Sequence, residues 1–248
     1  CGGRSWAPLG GTGGGYSLAR QAGHTLTEPT PALVPLVMDE PWLTELSGVS
    51  LDNARLWIAL PKQSKAGVTG DILFTHRGLS GPAIIDLSGD IAQLLRKNDT
   101  VPLRIELLAG MDVAQWDHEI LSWQRSAGKR QVINLLRDKL PASLARVLCD
   151  RAGLAEHVTA AELPAAKRQS LAKLLGCLEL TITDTEGFKT AFVTRGGVKL
   201  KEVAPDTLQS KLQPGLYLAG ELLDLDGPTG GFNLQWAFAS GGLAGSCR

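Results

Sequence analysis

GLYLAGELLDLDGPTGGFNLQWAFASGGLAG, residues 215–245, is the stretch from which the rest of this chain is read. Its apolar run Leu216-Tyr217-Leu218-Ala219 is too short for a helix and follows a glycine, so it reads as a buried strand. Gly220-Glu221 leaves that strand. A loop of Asp226, Gly227, Pro228, Thr229, Gly230 and Gly231 follows, and from about Asn233 the pattern becomes helical. Leu234, Phe238, Gly241 and Gly245 share one helical face, among small residues that let another backbone or a flat ligand come close.

A glycine loop ahead of a helix start makes an anion site, because unpaired N–H groups and the helix dipole point the same way. Gly230 and Gly231 have no Cβ, so a ligand ring or oxygen can sit directly on the main chain. The plainer reading is a strand–loop–helix unit whose glycines only make the turn.

Composition narrows the choice. The 248 residues suffice for more than one domain. The 25 basic and 25 acidic residues cancel and are scattered, so no basic patch suggests nucleic acid or an anionic membrane. No apolar run is long enough to span a bilayer and no signal peptide is present, which points to the cytoplasm. Cys1, Cys149, Cys177 and Cys247 lie far apart without a CxxC pair, which argues against a zinc site or a dithiol redox centre. They read as buried free thiols in a reducing compartment. No G-x-G-x-x-G follows an expected strand; Gly11-Thr12-Gly13-Gly14-Gly15 has the composition but not the spacing. If the chain binds a dinucleotide, the first βαβ unit lies outside this sequence.

The Gly215–Gly245 stretch resembles the C-terminal FAD-contacting segment of the YhiN/BaiN-like flavoproteins, NAD(P)/FAD-dependent oxidoreductases also described as aminoacetone-oxidase-like. The matching residues are Ala219-Gly220-Glu221, Asp224, Asp226-Gly227, Thr229-Gly230-Gly231 and Asn233-Leu234-Gln235. Other segments fit the same family. Gly2-Gly3 and Thr12-Gly13-Gly14-Gly15-Tyr16 match its strand end and helix start, with Gly14 where an Asp is common. Ala32-Leu33-Val34-Pro35-Leu36 matches the entrance to an inserted domain, and Thr194-Arg195-Gly196-Gly197-Val198 the return beside the flavin.

The elements in between are read from patterning. Tyr16–Ala22 forms a short helix with Leu18, Ala19 and Ala22 inward, stopped by Gly23. Residues 29–36, rich in proline, form an extended crossover. Arg55–Leu60, Asp71–Thr75 and the alternating Val101, Leu103, Ile105 and Leu107 are strands; Ala83–Leu87 is a short helix or a strand. From residue 112 the pattern is helical. Val132, Leu135, Leu136 and Leu140 share a face, Pro141 opens a helix that Gly153 stops, and Thr159-x-x-Glu162 is a capping box. Trp57, Trp116 and Trp123 could suggest an aromatic binding surface but read more simply as core filling. Leu178, Leu180 and Ile182 alternate as a strand, Thr190–Val193 is another, and Thr194-Arg195-Gly196-Gly197 is a loop with positive φ.

Gly78-Leu79-Ser80-Gly81-Pro82 nearly spells the hydrolase elbow G-x-S-x-G, but Pro82 stands where the last glycine belongs. The better reading is a tight loop with Pro82 opening the next element. Thr75-His76-Arg77-Gly78-Leu79-Ser80-Gly81-Pro82 matches a family segment, which implies a place near the flavin. His76 is then a candidate proton donor, against the plainer reading of a solvated loop histidine.

The architecture expected is α/β and α+β multidomain. Residues 1–28 and 204–248 form a partial Rossmann-like FAD domain. Residues 29–110 and 178–203 form an inserted β-barrel-like domain that itself carries a helical insert at 111–177. The resemblance implies a flavoprotein oxidoreductase that uses FAD, with NADH or NADPH as electron donor, and a small-molecule substrate. The cofactor-binding candidates are Gly2, Gly3, Thr12, Gly13, Gly196, Gly197, Gly220, Glu221, Asp226, Thr229, Gly230, Gly231, Phe232 and Asn233, with no metal site. Glu221 and Asp226 hold ribityl hydroxyls or loop amides in this reading, or serve a capping role and an Asx-type turn in the plainer one. The alternative from another class is a non-catalytic fragment or binding module without FAD.

Overall fold

The computed structural model describes residues 2–7, 10–63 and 66–246. Cys1 and Cys247 lie outside the described residues. The chain forms two compact units. One holds residues 1–35, 84–97 and 184–248, the other residues 36–83 and 98–183.

The second unit is a closed six-stranded barrel with helices. The strands are β2 (Leu36–Met38), β3 (Ser50–Ile58), β4 (Val68–Phe74), β5 (Gly78–Ser80), β6 (Val101–Glu106) and β7 (Leu178–Thr185), in the order β2-β5-β4-β3-β6-β7. Alternation sets the register. Leu56 pairs with Ile105 and Ile105 with Leu178; Ile58 pairs with Leu103 and Leu103 with Leu180. These six side chains are buried, each contributing roughly 1.5–3 kcal/mol. The strand readings at 55–60 and 71–75 fall on β3 and β4, which both begin earlier than the apolar runs suggest.

Between β6 and β7 run α3 (Val113–Ser126), α4 (Val132–Arg137), α5 (Ala142–Arg151) and α6 (Ala165–Gly176). Asp112 caps α3 by accepting the Gln115 N–H at 2.9 Å, while the Gln115 side chain accepts the Asp112 N–H at 2.8 Å. The Thr159–Glu162 box also forms, but it starts a single 3₁₀ turn. Trp116 and Trp123 pack edge to face at 6.5 Å inside the helical core. Ser80 lies within β5 and no histidine is hydrogen-bonded to it among the described residues, so the elbow reading falls. Gly81 is needed for a different reason. Its φ is +95°, and a Cβ there would stand 2.8 Å from the Asp71 carbonyl oxygen.

The first unit is built on a two-stranded antiparallel ribbon of β1 (Leu26–Ala32) and β8 (Val193–Val198). With it are α1 (Gly14–Gln21), most of α2 (Pro82–Leu95) and α7 (Phe232–Ser246). Tyr16, Ala19, Val198, Leu218 and Leu223 belong to its core. Pro82 does open a helix, and the ambiguous run at 83–87 is its first half.

Four local readings are corrected here. Leu216–Ala219 is not a strand: Tyr217 makes one isolated bridge to Gln209, and only Leu218 is buried. A strand needs consecutive ladder partners, and this run finds none among the described residues. Thr194–Val198 is not a loop but the body of β8, while Thr190–Phe192 lies outside it. The positive φ is real, +97° at Gly196 and +132° at Gly197, and it accompanies a register shift between Thr27 and Thr30. Leu18 points outward, 57% exposed, because Tyr16 and Ala19 take the buried face of α1. The Leu234–Phe238 face of α7 is also exposed, with Phe238 at 75%; Ser240 is the helix's one buried residue among those described.

Among the described residues no helix is long and apolar enough to cross a membrane, and no group of three or more His, Cys, Asp or Glu side chains is placed to hold a metal ion.

Candidate functional site

The loop ahead of α7 is fixed by its own side chains. Asn233 accepts the Gly227 N–H at 2.8 Å and donates to the Gly227 carbonyl at 2.8 Å. Gly230 and Gly231 follow at φ +110° and +88°, a backbone that side-chain-bearing residues rarely adopt. Among the described residues the N–H groups of Gly230, Gly231, Phe232, Asn233 and Leu234 find no acceptor. Five free amides thus gather at the positive end of a helix.

Those glycines form one wall of an open cavity of about 570 Å³, a size ordinary for organic ligands. Thr229, Asn233 and Glu221 line it with them, and Trp6, Phe192, Leu225, Leu234 and Trp236 give it apolar faces. The rings of Trp6 and Phe192 stand 6.0 Å apart at 52°. A Cβ built on Gly231 would meet nothing within 4 Å, so there is room directly beside its amide. A lining that combines free amides with exposed aromatic faces suits a planar, electron-rich ligand.

Glu221, itself part of the lining, is tethered to other elements of the unit. Its carboxylate accepts the Thr194 N–H at 2.7 Å and the Ser5 hydroxyl at 3.3 Å. Thr194 in turn accepts the N–H groups of Arg4 and Ser5 at 2.7 and 3.1 Å. Burial pushes the Glu221 carboxyl above the ordinary range, and hydrogen bonds from Thr194, Ser5 and Gly3 only partly offset it. Gly3 leaves room for the carboxylate: a Cβ there would stand 1.7 Å from Glu221 Oε2 and would displace it. Tyr16 donates to the Glu221 carbonyl at 3.1 Å; its phenol is raised by burial and then by the Glu221 charge.

Asp226 is an ion-pair partner. Arg195 Nε donates to its two oxygens at 2.9 and 3.0 Å, and Arg195 Nη1 donates to Asp90. Burial alone would lower the guanidinium pKa, but the bonds to Asp226 and Asp90 outweigh it and raise it.

The structure therefore brings Glu221, Thr229, Gly230, Gly231 and Asn233 together around the cavity. Phe232 and Asp226 adjoin it in the loop without lining it. Gly220 is held from both sides, its N–H by Ser240 at 2.9 Å and its carbonyl by Trp236 at 3.2 Å. Gly196 and Gly197 pack against backbone, where a Cβ would meet the Glu28 and Leu222 carbonyl oxygens at 2.7 and 2.5 Å. Gly13 donates to the Gly3 carbonyl at 3.1 Å, and Gly2 and Thr12 stand apart from the cavity lining. His76 is exposed on the β4–β5 turn, which Thr75 closes by bonding Gly78. The aromatic walls, Trp6 and Phe192, were missed. Each lies within a few residues of a quoted glycine motif, the one sequence signal that marks them.

Comparison with known proteins agrees with this frame. Residues 30–193 match the HI0933-like protein barrel and H2TH domain. The chain is 37% identical over 245 residues to the 3-dehydro-bile acid delta(4,6)-reductase of Clostridium scindens, covering 99% of this chain and 60% of that protein. It is 33% identical over 241 residues to the ribosomal RNA dihydrouridine synthase of Haemophilus influenzae, covering 96% of this chain and 56% of that protein. The namesake of Escherichia coli is 33% identical over 243 residues, with 96% and 57% covered. The chain thus spans less than two thirds of each of these relatives. A barrel with its helical insert over residues 30–193 makes the chain a member of the HI0933-like family, in agreement with the YhiN/BaiN-like resemblance of its glycine loop.

Proposed function

We propose that this chain is the flavin-facing part of a cytoplasmic FAD-dependent oxidoreductase that reduces a carbon–carbon double bond conjugated to a carbonyl. The observation that carries the reading is the row of free amides from Gly230 to Leu234, with Gly230, Gly231, Asn233 and Leu234 lining a cavity that has aromatic faces. FAD, when bound, supplies the two-electron chemistry, with NADH or NADPH as donor. The amides of Gly230, Gly231 and Phe232 hold negative charge at the electron-rich edge of the ring, helped by the dipole of α7. Trp6 and Phe192 cover its flat face and exclude water. Asp226 and Glu221 act on the protein side, holding the loop and the N-terminal segment.

Residues 1–28 and 204–248 are then the FAD domain, and a βαβ unit outside this sequence completes the Rossmann-like fold. The exposed Phe232, Leu234 and Phe238 of α7 give that unit an apolar surface to pack on. The relatives' names support the substrate class. One names a 3-keto substrate with double bonds at positions 4 and 6, and the other names a uridine whose pyrimidine double bond is reduced. Both place the double bond in conjugation with a carbonyl.

The two synthase relatives favour a second reading, in which the alkene is a uridine in folded RNA. Zero net charge weighs against it, since phosphate contacts dominate RNA affinity. The test is FAD titration of the protein, followed by reduction assays with enones and with uridine-containing RNA under NADH or NADPH. Turnover of a small enone alone supports the first reading, and turnover of RNA alone the second. A protein that takes up no flavin supports the non-catalytic binding module.

A further inference from the structure

Arg195 joins three elements. From β8 its Nε reaches both oxygens of Asp226 in the glycine loop, and its Nη1 reaches Asp90 of α2 at 2.5 Å. A neighbouring bond runs the same way: Asp86 of α2 accepts the Thr229 N–H at 2.8 Å. Gly89 makes room for the guanidinium, since a Cβ there would stand 2.7 Å from Arg195 Cζ. Glycine is a poor helix former, so its place inside α2 points to that close approach. A cavity of about 170 Å³ lies beside the cluster and shares Leu33 and Pro228 with the larger one. Gly230 and Gly231 follow directly, with no acceptor for their own N–H groups among the described residues.

We propose that Arg195 is a positioning residue that fixes the direction of the Gly230 and Gly231 amides, and so their aim at a flat ring in the main cavity. Arginine suits this task because its planar fork bridges two carboxylates at fixed angles, whereas lysine offers a single point charge. The role rests on the flavin reading for its ligand, but the loop itself can be read without one.

The experiment compares Arg195→Ala, Arg195→Lys and Gly89→Ala. It reads amide exchange at Gly227 and Thr229, riboflavin affinity by fluorescence quenching, and melting temperature. Arg195→Ala is expected to speed exchange at those two amides about tenfold and weaken riboflavin by a similar factor. Arg195→Lys restores part of both. Gly89→Ala removes a poor helix former but displaces the guanidinium, so the melting temperature holds or rises while exchange quickens. Exchange unchanged in Arg195→Ala, or faster uniformly across the unit, overturns the positioning role. A wild type that binds no riboflavin while the loop still loosens in Arg195→Ala overturns the flavin reading alone.

Discussion

Glu221 and Thr194 are joined by a 2.7 Å hydrogen bond from the Thr194 N–H to the Glu221 carboxylate, between residues 27 positions apart. Removing the carboxylate leaves the Thr194 and Gly3 amides and the Ser5 hydroxyl without their acceptor. Each buried donor left alone costs about 1–3 kcal/mol. Glu221→Ala is therefore expected to lower the melting temperature by several degrees. Glu221→Gln keeps one acceptor oxygen and sets its NH2 group against the remaining donors, so a smaller fall is expected. The pH dependence has a definite sign. The folded carboxyl is raised above its unfolded value, so its contribution is fully present below the ordinary value of 4.5 and is lost as pH rises through the folded pKa. The gap between wild type and Glu221→Ala narrows along that path in thermal melts run from acid to neutral pH.

A backbone prediction concerns Gly197. Its φ is +132°, and a Cβ would stand 2.5 Å from the Leu222 carbonyl oxygen. Gly197→Ala combines strain with a clash against backbone, and the cost is about 1–3 kcal/mol or more. Gly2→Ala is the control, since nothing lies within 4 Å of the added carbon. Chemical denaturation should separate the two cleanly; equal midpoints would remove the strain argument.

Much of the barrel is legible in the sequence. Val101, Leu103 and Ile105 alternate, and all three are fully buried in β6. The stripes at Val132–Leu140 and Leu144–Leu148 mark the helices they form. The start of α7 is read at Asn233 and found at Phe232. What fails depends on partners distant in sequence. Leu216–Ala219 has the composition of a strand, but composition does not supply a ladder. Gly196 and Gly197 signal positive φ, yet β1 pairs with Gly197 and Arg195 on either side of the register shift and keeps the run in a strand. The site is half legible for the same reason. Gly230 and Gly231 announce themselves locally, whereas Trp6 and Phe192, 186 positions apart in sequence, become one wall only in the folded unit.

The thiols give a chemical prediction. Burial pushes the Cys149 thiol up to about 12, and it raises Cys177 as well. Iodoacetamide at pH 8 should leave Cys149 unmodified in the native protein and label it fully after denaturation, as read by peptide mass mapping. A raised thiol contributes stability that is present below its ordinary value of 9.0 and is lost as pH climbs toward 12. Native labelling of Cys149 at pH 8 would show that the helical core opens more readily than its packing suggests.

The aromatic wall makes the last prediction. Phe192 is 54% exposed and Trp6 43%, so neither holds the core together. Phe192→Ala should leave the melting temperature within about a degree, as expected for a surface substitution. Stacking on such a face contributes about 0.5–1.5 kcal/mol, which corresponds to a loss of about twofold to twelvefold in affinity for a flat ring. Lumiflavin is the suitable probe, because it carries the isoalloxazine alone and so reports on the aromatic wall without contributions from phosphates or adenine. Titration by fluorescence should place Phe192→Ala in that range, Trp6→Ala beside it, and the double variant beyond both. Affinity that ignores both substitutions would put the ring somewhere other than against this part of the cavity, whose lining holds both side chains.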